Sequence, residues 1–381
     1  MLLWTNIDCG NEDLPPIGLD LLIWHLDTNY TTTGIKARLS IPTPRPELDT
    51  LRFFPDATAK NCYAVPSVKL SLKYLVRAGF YYGNYDAYGR PPTFDVYLDG
   101  RKWTTVNTTT AQGVVYYEAV YVTQGKDEIE LCLVQTRSGE VPFVSSVEMV
   151  PLWNGLYSEM GNEESFALVA RTNLGGPEIR NGIITGEWHN RIWTRGPDPP
   201  NTTVAATVAP LPLLTPTENE PPPAALSDSV QSSNAQYTIS LTVDIPKSTS
   251  NQQTAAYLVL YFTELLIRPK LDDTRVMDVY VDGKMTASVE AELTKCKVVT
   301  VYPIAVQPDA VSINVTLAKS NSSTLPPMVS AMEVFTRIES SGAGAGGGGS
   351  KSTGGGGRRR LVVASCAVVV HVVSILFISL F

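Results

Sequence analysis

Charge and histidine are scarce in this chain of 381 residues. Asp, Glu, Lys and Arg together make up 18% of it, and only His25 and His189 stand outside the C-terminal stretch 361–381. The sequence contains neither the HExxH motif of zinc peptidases nor the GxSxG turn of serine hydrolases. General acid–base and nucleophilic chemistry therefore has few candidate residues. The sequence predicts a protein that is not an enzyme and has no catalytic residues.

Cysteine is sparse as well, and no two of the five cysteines have the CxxC spacing of zinc ribbons and thioredoxin-like sites. The sequence therefore predicts no metal site and no cofactor. Cys9, Cys62, Cys132 and Cys296 lie in the globular part, and Cys366 lies in the apolar tail. Four cysteines allow three pairings, and their spacing does not choose among them.

Basic residues are too few and too unevenly placed for a nucleic-acid partner. The net charge is −7, but four of the 30 basic residues lie between Lys351 and Arg360, where there is no Asp or Glu. The remaining 26 stand against 37 acidic residues, a net charge of −11 over residues 1–350. Such a surface repels phosphate backbones and anionic polysaccharides, which excludes nucleic acid as a partner.

Apolar residues seldom recur with the period of an amphipathic helix. Short β-branched and aromatic runs, broken by Pro, Gly, Asn and Asp, dominate instead. Ile129, Leu131 and Leu133 alternate with polar neighbours, as do the residues at 313, 315 and 317. This pattern predicts an all-β fold.

Three motifs occur twice in the same order. YLV at 74–76 recurs at 257–259, and FDVYLDG at 94–100 recurs as MDVYVDG at 277–283, both at an offset of 183. VSSVEM at 144–149 recurs as VSAMEV at 329–334, at an offset of 185. The Asp-Gly pair that ends the second motif suits a tight hairpin. We therefore expect two tandem β-sandwich modules, 1–186 and 187–338, with a Pro/Thr-rich connector at 195–226 in the second.

Beyond the second module, the chain changes character. A Gly/Ser-rich linker at 339–360 leads to a hydrophobic tail, 361–381, that has no charged residue and as a helix would span roughly 31 Å. Small residues at Gly348–Ser350, followed by a polar spacer at 351–360, resemble a glycosylphosphatidylinositol anchor signal with Gly348 as the attachment candidate. The alternative is a retained transmembrane helix. By the positive-inside rule, Arg358–Arg360 would then hold the N-terminal side of the helix in the cytosol, which argues against this alternative.

Both ends of the chain bear on its compartment. Met1–Trp4 is too short for a signal peptide, so we expect the true N-terminus to lie upstream of this sequence. Five Asn-x-Ser/Thr sequons favour a secretory route and a place on the outer cell surface. They lie at Asn29, Asn107, Asn201, Asn314 and Asn321.

Several segments together resemble the plant malectin-like domain over about residues 5–338. They are NIDCG at 6–10, LRFFP at 51–55, Arg77-Ala78, YGNYD at 82–86, CLV at 132–134 and ARTNLGG at 170–176. In plants this tandem unit forms the ectodomain of receptor-like kinases. The sequence carries no kinase motif and no leucine-rich repeat.

The resemblance implies jelly-roll-like β-sandwich modules related to animal malectin, which binds a glucosylated end of N-glycans. It suggests an extracellular, membrane-anchored protein that binds a cell-wall saccharide. The alternative is an ectodomain that binds a secreted peptide, with a receptor kinase as a possible partner. Cys62 and Cys132 are the expected disulfide pair, because both lie in strong first-copy motifs.

Sugar recognition requires aromatic faces and planar polar groups in one cleft. The densest candidate follows a strand and comprises Tyr81, Tyr82, Asn84, Tyr85, Asp86 and Tyr88. In animal malectin the matching stretch carries binding aromatics, and Tyr85 falls closest to them. Trp24 and Tyr30, with His25 and Asp27 between them, are expected at the same rim. The alternative interpretation is that these aromatic residues belong to the core.

Overall fold

The computed structural model describes residues 4–339, apart from 14–21, 44, 67–71, 109–112, 124–125, 153–154, 181, 183–184, 207–216, 247–252, 266–269, 271 and 294. Over these residues the fold is all-β, with no α-helix and three short 3-10 turns. The turns are Asp27–Asn29, Pro46–Leu48 and Pro223–Leu226. The predicted linker and tail, including Gly348 and Cys366, lie outside the described residues. No helix that is described has the length and apolar character needed to cross a membrane.

Twelve strands precede residue 153. They are β1 (Thr5–Asp8), β2 (Trp24–Leu26), β3 (Ile35–Arg38), β4 (Thr50–Phe53), β5 (Cys62–Pro66), β6 (Lys73–Phe80), β7 (Thr93–Leu98), β8 (Arg101–Asn107), β9 (Val115–Val122), β10 (Glu128–Gln135), β11 (Phe143–Val144) and β12 (Ser146–Leu152).

Twelve more follow. They are β13 (Phe166–Asn173), β14 (Thr194–Arg195), β15 (Thr202–Ala206), β16 (Asp228–Ser232), β17 (Ile239–Asp244), β18 (Thr254–Thr263), β19 (Val276–Val281), β20 (Lys284–Glu290), β21 (Cys296–Val306), β22 (Ser312–Lys319), β23 (Met328–Val329) and β24 (Ala331–Arg337). β15 lies inside the segment predicted to be a connector, because Thr202–Ala206 is a Thr- and Val-rich run that pairs with β16.

One ten-stranded sheet runs through the whole molecule. Its order is β2-β1-β12-β6-β9-β13-β24-β18-β21, with β14 beside β13. Two four-stranded sheets, β5-β10-β7-β8 and β17-β22-β19-β20, face it, and two three-stranded sheets, β11-β4-β3 and β15-β16-β23, complete the layers. The sheets of the two halves therefore correspond strand for strand.

Each four-stranded sheet packs against the large sheet over its own core. In the first half Val76 and Tyr121 of the large sheet meet Phe94, Val96 and Leu131. In the second half the core is formed by the alternate apolar residues of β17, β18, β19 and β22. Along β10 and β22, buried apolar residues alternate with outward-facing residues, as predicted from the sequence.

The hairpins that close β7–β8 and β19–β20 turn at the Asp-Gly pairs. Asp99 and Gly100 have φ of 48° and 77°, and Asp282 and Gly283 have φ of 48° and 75°. Two consecutive positive φ values define the tight turn that matches strand twist, and glycine adopts the second without strain. The local sequence therefore sets the register of both hairpins.

The back of the large sheet is covered as well. Leu156, Tyr157, Trp193 and Leu226 pack on its outer face and form a third core, shared by both halves. Buried charges cross this face: the Arg171 guanidinium lies 2.6 Å from Glu118 of β9 and 2.6 Å from Glu333 of β24. Both halves are thus fixed on one continuous sheet.

Candidate functional site

The candidate aromatic segment is the loop that leaves β6 and enters β7, residues 81–92. Four backbone positions in it have positive φ: Gly83, Asn84, Ala87 and Gly89. A Cβ on Gly83 would lie 2.7 Å from the Leu39 side chain, so glycine is required there by space as well as by conformation. These features fold the loop into a series of tight turns.

Most of the polar groups in this loop are used to hold its shape. The buried Tyr82 hydroxyl donates to the Asp86 carboxylate, and Asp86 Oδ1 also accepts from the Tyr88 N–H at 3.1 Å. Asn84 Oδ1 accepts from the Gly89 N–H at 2.7 Å. Burial and the contact with Asp86 raise the pKa of Tyr82 to about 12. Hydrogen bonds within the loop itself therefore support its conformation.

The aromatic side chains divide into anchors and displayed rings. Tyr85 is half-buried, with its ring centroid 5.2 Å from that of Phe53 and 5.6 Å from that of Phe143. Burial raises its pKa. Tyr88 is 83% exposed, and Tyr81 is half-buried against the first core. The loop thus presents Tyr88 outward, and the rings of Tyr81 and Tyr85 stay partly accessible.

The second predicted group is more deeply placed. Trp24 is buried on β2, at the edge of the large sheet, and Tyr30 is half-buried against the first core. The carboxylate of Asp27 is fully buried and accepts from Arg52 at 2.7 and 2.8 Å and from the Gly10 N–H at 2.7 Å. Asp27 therefore holds β2, β4 and the 9–11 turn together, and His25 is the exposed member of this group.

The glycosylation candidates lie on both halves, and the disulfide candidates lie in the first. All five sequon asparagines are exposed. Cys62 and Cys132 face each other in the β5–β10 register and form a disulfide. They also form, with Glu130, the one cluster of metal-ligand residue types among the described residues. The disulfide occupies both sulfurs, so this cluster offers no metal site.

A cleft of about 920 Å³ opens between the two halves. One wall comes from β7, β8 and β9, the floor from β13, and the other wall from the ends of β17, β21 and β24. Tyr97, Trp103 and Tyr117 supply aromatic surface in it. The volume lies within the range of known ligand pockets.

The sequence alone does not reveal this cleft or the buried charges of the large sheet. No contiguous motif encodes the cleft, because its walls are about 130 to 240 residues apart in sequence. The charges left a signal: Arg77 and Arg171 stand inside otherwise apolar strands, where a charged residue requires a buried partner.

Comparison with known proteins gives the chain its family. The family model described as malectin-like domain matches residues 7–337. An uncharacterized protein of Arabidopsis thaliana is 31% identical over 342 residues, which are 89% of this chain and 65% of that protein. A probable leucine-rich-repeat receptor-like serine/threonine-protein kinase of the same plant is 26% identical over 344 residues, 88% of this chain and 37% of the kinase. The chain thus spans less than two thirds of the length of these relatives.

Solved structures share the fold. The ANX2 ectodomain of Arabidopsis thaliana has a TM-score of 0.71 at 15% identity, covering 88% of this chain and 97% of its own. A complex of the plant peptide RALF23 with FER and LLG2 contains a chain with a TM-score of 0.67 at 16% identity, covering 88% of this chain and 95% of its own. With a family model matched over most of its length, this chain belongs to the malectin-like domain family.

Proposed function

We propose that this protein is a non-enzymatic recognition protein of the outer cell surface that binds a saccharide at the 81–88 loop. The supporting observation is the internal bracing of that loop. Tyr82, Asn84 and Asp86 bond within it and hold Tyr88 out at 83% exposure. An exposed ring on a loop braced by its own hydrogen bonds, with the partly accessible rings of Tyr81 and Tyr85 in the same loop, is suited to stacking on the C–H face of a sugar.

This assignment changes the roles expected for the loop residues. Tyr88, Tyr81 and Tyr85 are the ligand-facing groups. Tyr82, Asn84 and Asp86 act through the loop conformation, because their side chains are already bonded within it. Trp24 and Tyr30 support the neighbouring strands rather than the ligand.

Binding of a secreted peptide is the second candidate function. One structural neighbour was solved as FER in complex with the peptide RALF23 and LLG2. The same architecture in this chain supports a peptide-binding role, alone or beside a receptor kinase. The inter-half cleft gives such a ligand a place separate from the aromatic loop.

The two-module organisation and the location of the protein belong to the same proposal. Strand-for-strand correspondence of the sheets supports two modules of one type. β13 and β14 hold the places in the second half that β1 and β2 hold in the first, and the module boundaries 1–186 and 187–338 stay a prediction. Five exposed sequons and the receptor-kinase relatives support a cell-surface location. Attachment through 361–381 stays a prediction.

A glycan array probed with the detergent-solubilised full chain tests the saccharide proposal. We expect binding to a restricted set of neutral glycans, with the signal lost in Tyr88→Ala. Tyr237→Ala is the matched control, because Tyr237 is also exposed, at 47%, but lies in the second half. Silence of the wild-type protein on every glycan would reject the saccharide and leave the peptide candidate.

A further inference from the structure

The first wall of the inter-half cleft is formed by an edge strand that contains a β-bulge. Lys102, Trp103, Thr104 and Thr105 are consecutive in β8, and all four line the cleft. Val96 and Tyr97 of β7 pair with Thr104 and Lys102, so Trp103 is the extra residue of the bulge and the alternation of side chains is interrupted there. The cleft therefore lies against the bulged part of this edge strand.

That edge carries no strand partner in the described part of the chain. β8 ends the order β5-β10-β7-β8. Two outward groups near the cleft bond the same side chain: the Asn107 N–H donates to the Tyr117 hydroxyl at 3.4 Å, and that hydroxyl donates to the Thr105 carbonyl at 3.4 Å. The backbone groups of Thr105 therefore point away from β7 and toward the cleft wall. An exposed edge of this kind is a template for another strand.

The floor of the cleft contributes a second free edge. β9 and β13 pair only at Phe166 with Val120 and at Ala167 with Ala119. Beyond these pairs the large sheet splits, so Leu168 and Val169 line the cleft from one side and Tyr116 and Tyr117 from the other. Strand edges thus border the cleft along both its wall and its floor.

The charges of the cleft limit what can enter it. Lys102 lies 2.8 Å from Asp95, and Arg337 lies 3.1 Å from Glu164, so both cations are already paired. Asp244 lines the opposite wall and is exposed. With a net charge of −11 over residues 1–350, the chain attracts cationic partners and repels anionic ones.

We propose that the cleft binds an extended, cationic peptide segment of a partner protein, which adds as a strand to the free edge of β8. Main-chain hydrogen bonds to Lys102–Thr105 would supply affinity, over a length of about 13 Å for four residues. Tyr97 and Tyr117, both half-buried, provide contact surface for alternate side chains of the peptide. The inference rests on the secreted-peptide candidate and is independent of sugar binding at the 81–88 loop.

The test uses short linear peptides of random sequence displayed on phage and selected on the detergent-solubilised full chain. Peptides that bind are measured by titration, and hydrogen–deuterium exchange locates them. We expect cationic sequences that slow amide exchange in β8 and in the 168–170 part of β13.

Proline scanning gives the sharpest variant. Thr105→Pro removes an outward N–H while leaving the pairing with β7, and we expect about tenfold weaker peptide binding, the effect of about one hydrogen bond. Ser288→Pro is the control. Ser288 of β20 pairs with Asp278 of β19 as Thr105 of β8 pairs with Asp95 of β7, and each hydroxyl donates to Oδ1 of its aspartate. Ser288 lies outside the cleft, so Ser288→Pro should bind the peptide as the wild type does.

Ala310→Trp provides an independent check, because Ala310 is half-buried on the opposite wall and a larger ring would fill the space. Loss of peptide binding in both cleft variants and retention in Ser288→Pro and Tyr88→Ala would support the proposal. A selection that yields no binder, or binders that keep full affinity for Thr105→Pro or protect other strands, would overturn it. Glycan binding is read out separately by Tyr88→Ala, so failure of one site is distinguishable from failure of the other.

Discussion

Asp8 lies at the end of β1 with its side chain fully buried. Its carboxylate accepts from the Asn11 amide at 2.7 Å and from the Thr50 hydroxyl at 2.8 Å, but no cation is among these partners. Burial, reinforced by the nearby Glu47 and Asp27, raises its pKa from 3.8 to about 6. A carboxyl group whose pKa is raised on folding binds its proton more tightly in the folded protein than in the unfolded chain.

This pKa shift predicts how stability changes in mild acid. The contribution of Asp8 is fully present below about pH 4 and is lost as the pH rises through about 6. The loss amounts to about 3 kcal/mol, at about 1.4 kcal/mol for each pKa unit. Urea unfolding of the wild type and of Asp8→Asn between pH 4 and 7 measures it. We expect the difference between the two proteins to change with pH across this window, and a constant difference would contradict the assignment.

The sequence located the aromatic loop but not the roles within it. Its density of tyrosine is visible in the sequence, whereas the bonds from Tyr82 to Asp86 and from Asn84 to Gly89 depend on positive φ values at four positions. Propensity rules permit these values at Asn and Gly but do not fix them. Ala87 has a φ of 61°, a value that no local pattern indicates for alanine.

At the scale of elements, β5 and β10 are joined twice, by their ladder and by the Cys62–Cys132 disulfide. The disulfide closes a loop of 70 residues that includes β6, β7, β8 and β9. Such a link chiefly restricts the unfolded chain, and its effect grows with the length of the loop.

We therefore expect replacement of Cys62 and Cys132 by serine to lower the free energy of unfolding by about 4 kcal/mol. Guanidinium unfolding with and without a reductant measures the change. Reductant should destabilise the wild type and leave the double variant unaffected. Equal stability of the oxidised and reduced wild type would contradict this prediction, and Cys296→Ser, at a free half-buried cysteine, serves as the control.

Strand type and hairpin positions could be predicted from the sequence, because alternation and Asp-Gly turns are local. The arrangement of the sheets could not. The internal repeat indicated two similar units, but nothing in it indicates that β13 pairs with β24 or that Leu156, Tyr157, Trp193 and Leu226 cover the back of the large sheet. These contacts are long-range, and they also account for β15 within the predicted connector.

At the scale of the whole molecule, Arg171 connects the two halves. Its guanidinium bonds Glu118 on one side and Glu333 on the other, and Tyr157 and Tyr261 donate to the same Glu333 carboxylate at 2.7 Å. Both carboxylates are buried, and Glu118 keeps its ion pair with Arg77 when Arg171 is removed, whereas Glu333 would lose the cation that neutralises it.

We expect Arg171→Met to lower the free energy of unfolding by about 3–5 kcal/mol, the cost of leaving the buried Glu333 carboxylate uncompensated. Arg195→Met is the control, because the Arg195–Asp198 pair is exposed and contributes less than about 1 kcal/mol. Thermal unfolding of both variants measures the difference. Similar effects at the two sites would show that the buried network does not join the halves energetically.

The central claim is that the displayed ring of Tyr88 binds a saccharide. Calorimetric titration of the wild type, Tyr88→Ala and Tyr237→Ala with the strongest glycan from the array tests it most directly. We predict that the affinity of Tyr88→Ala falls about tenfold, as expected for the loss of one stacked ring, while that of Tyr237→Ala is unchanged. Unchanged affinity of Tyr88→Ala for a glycan that the wild type binds would contradict the claim.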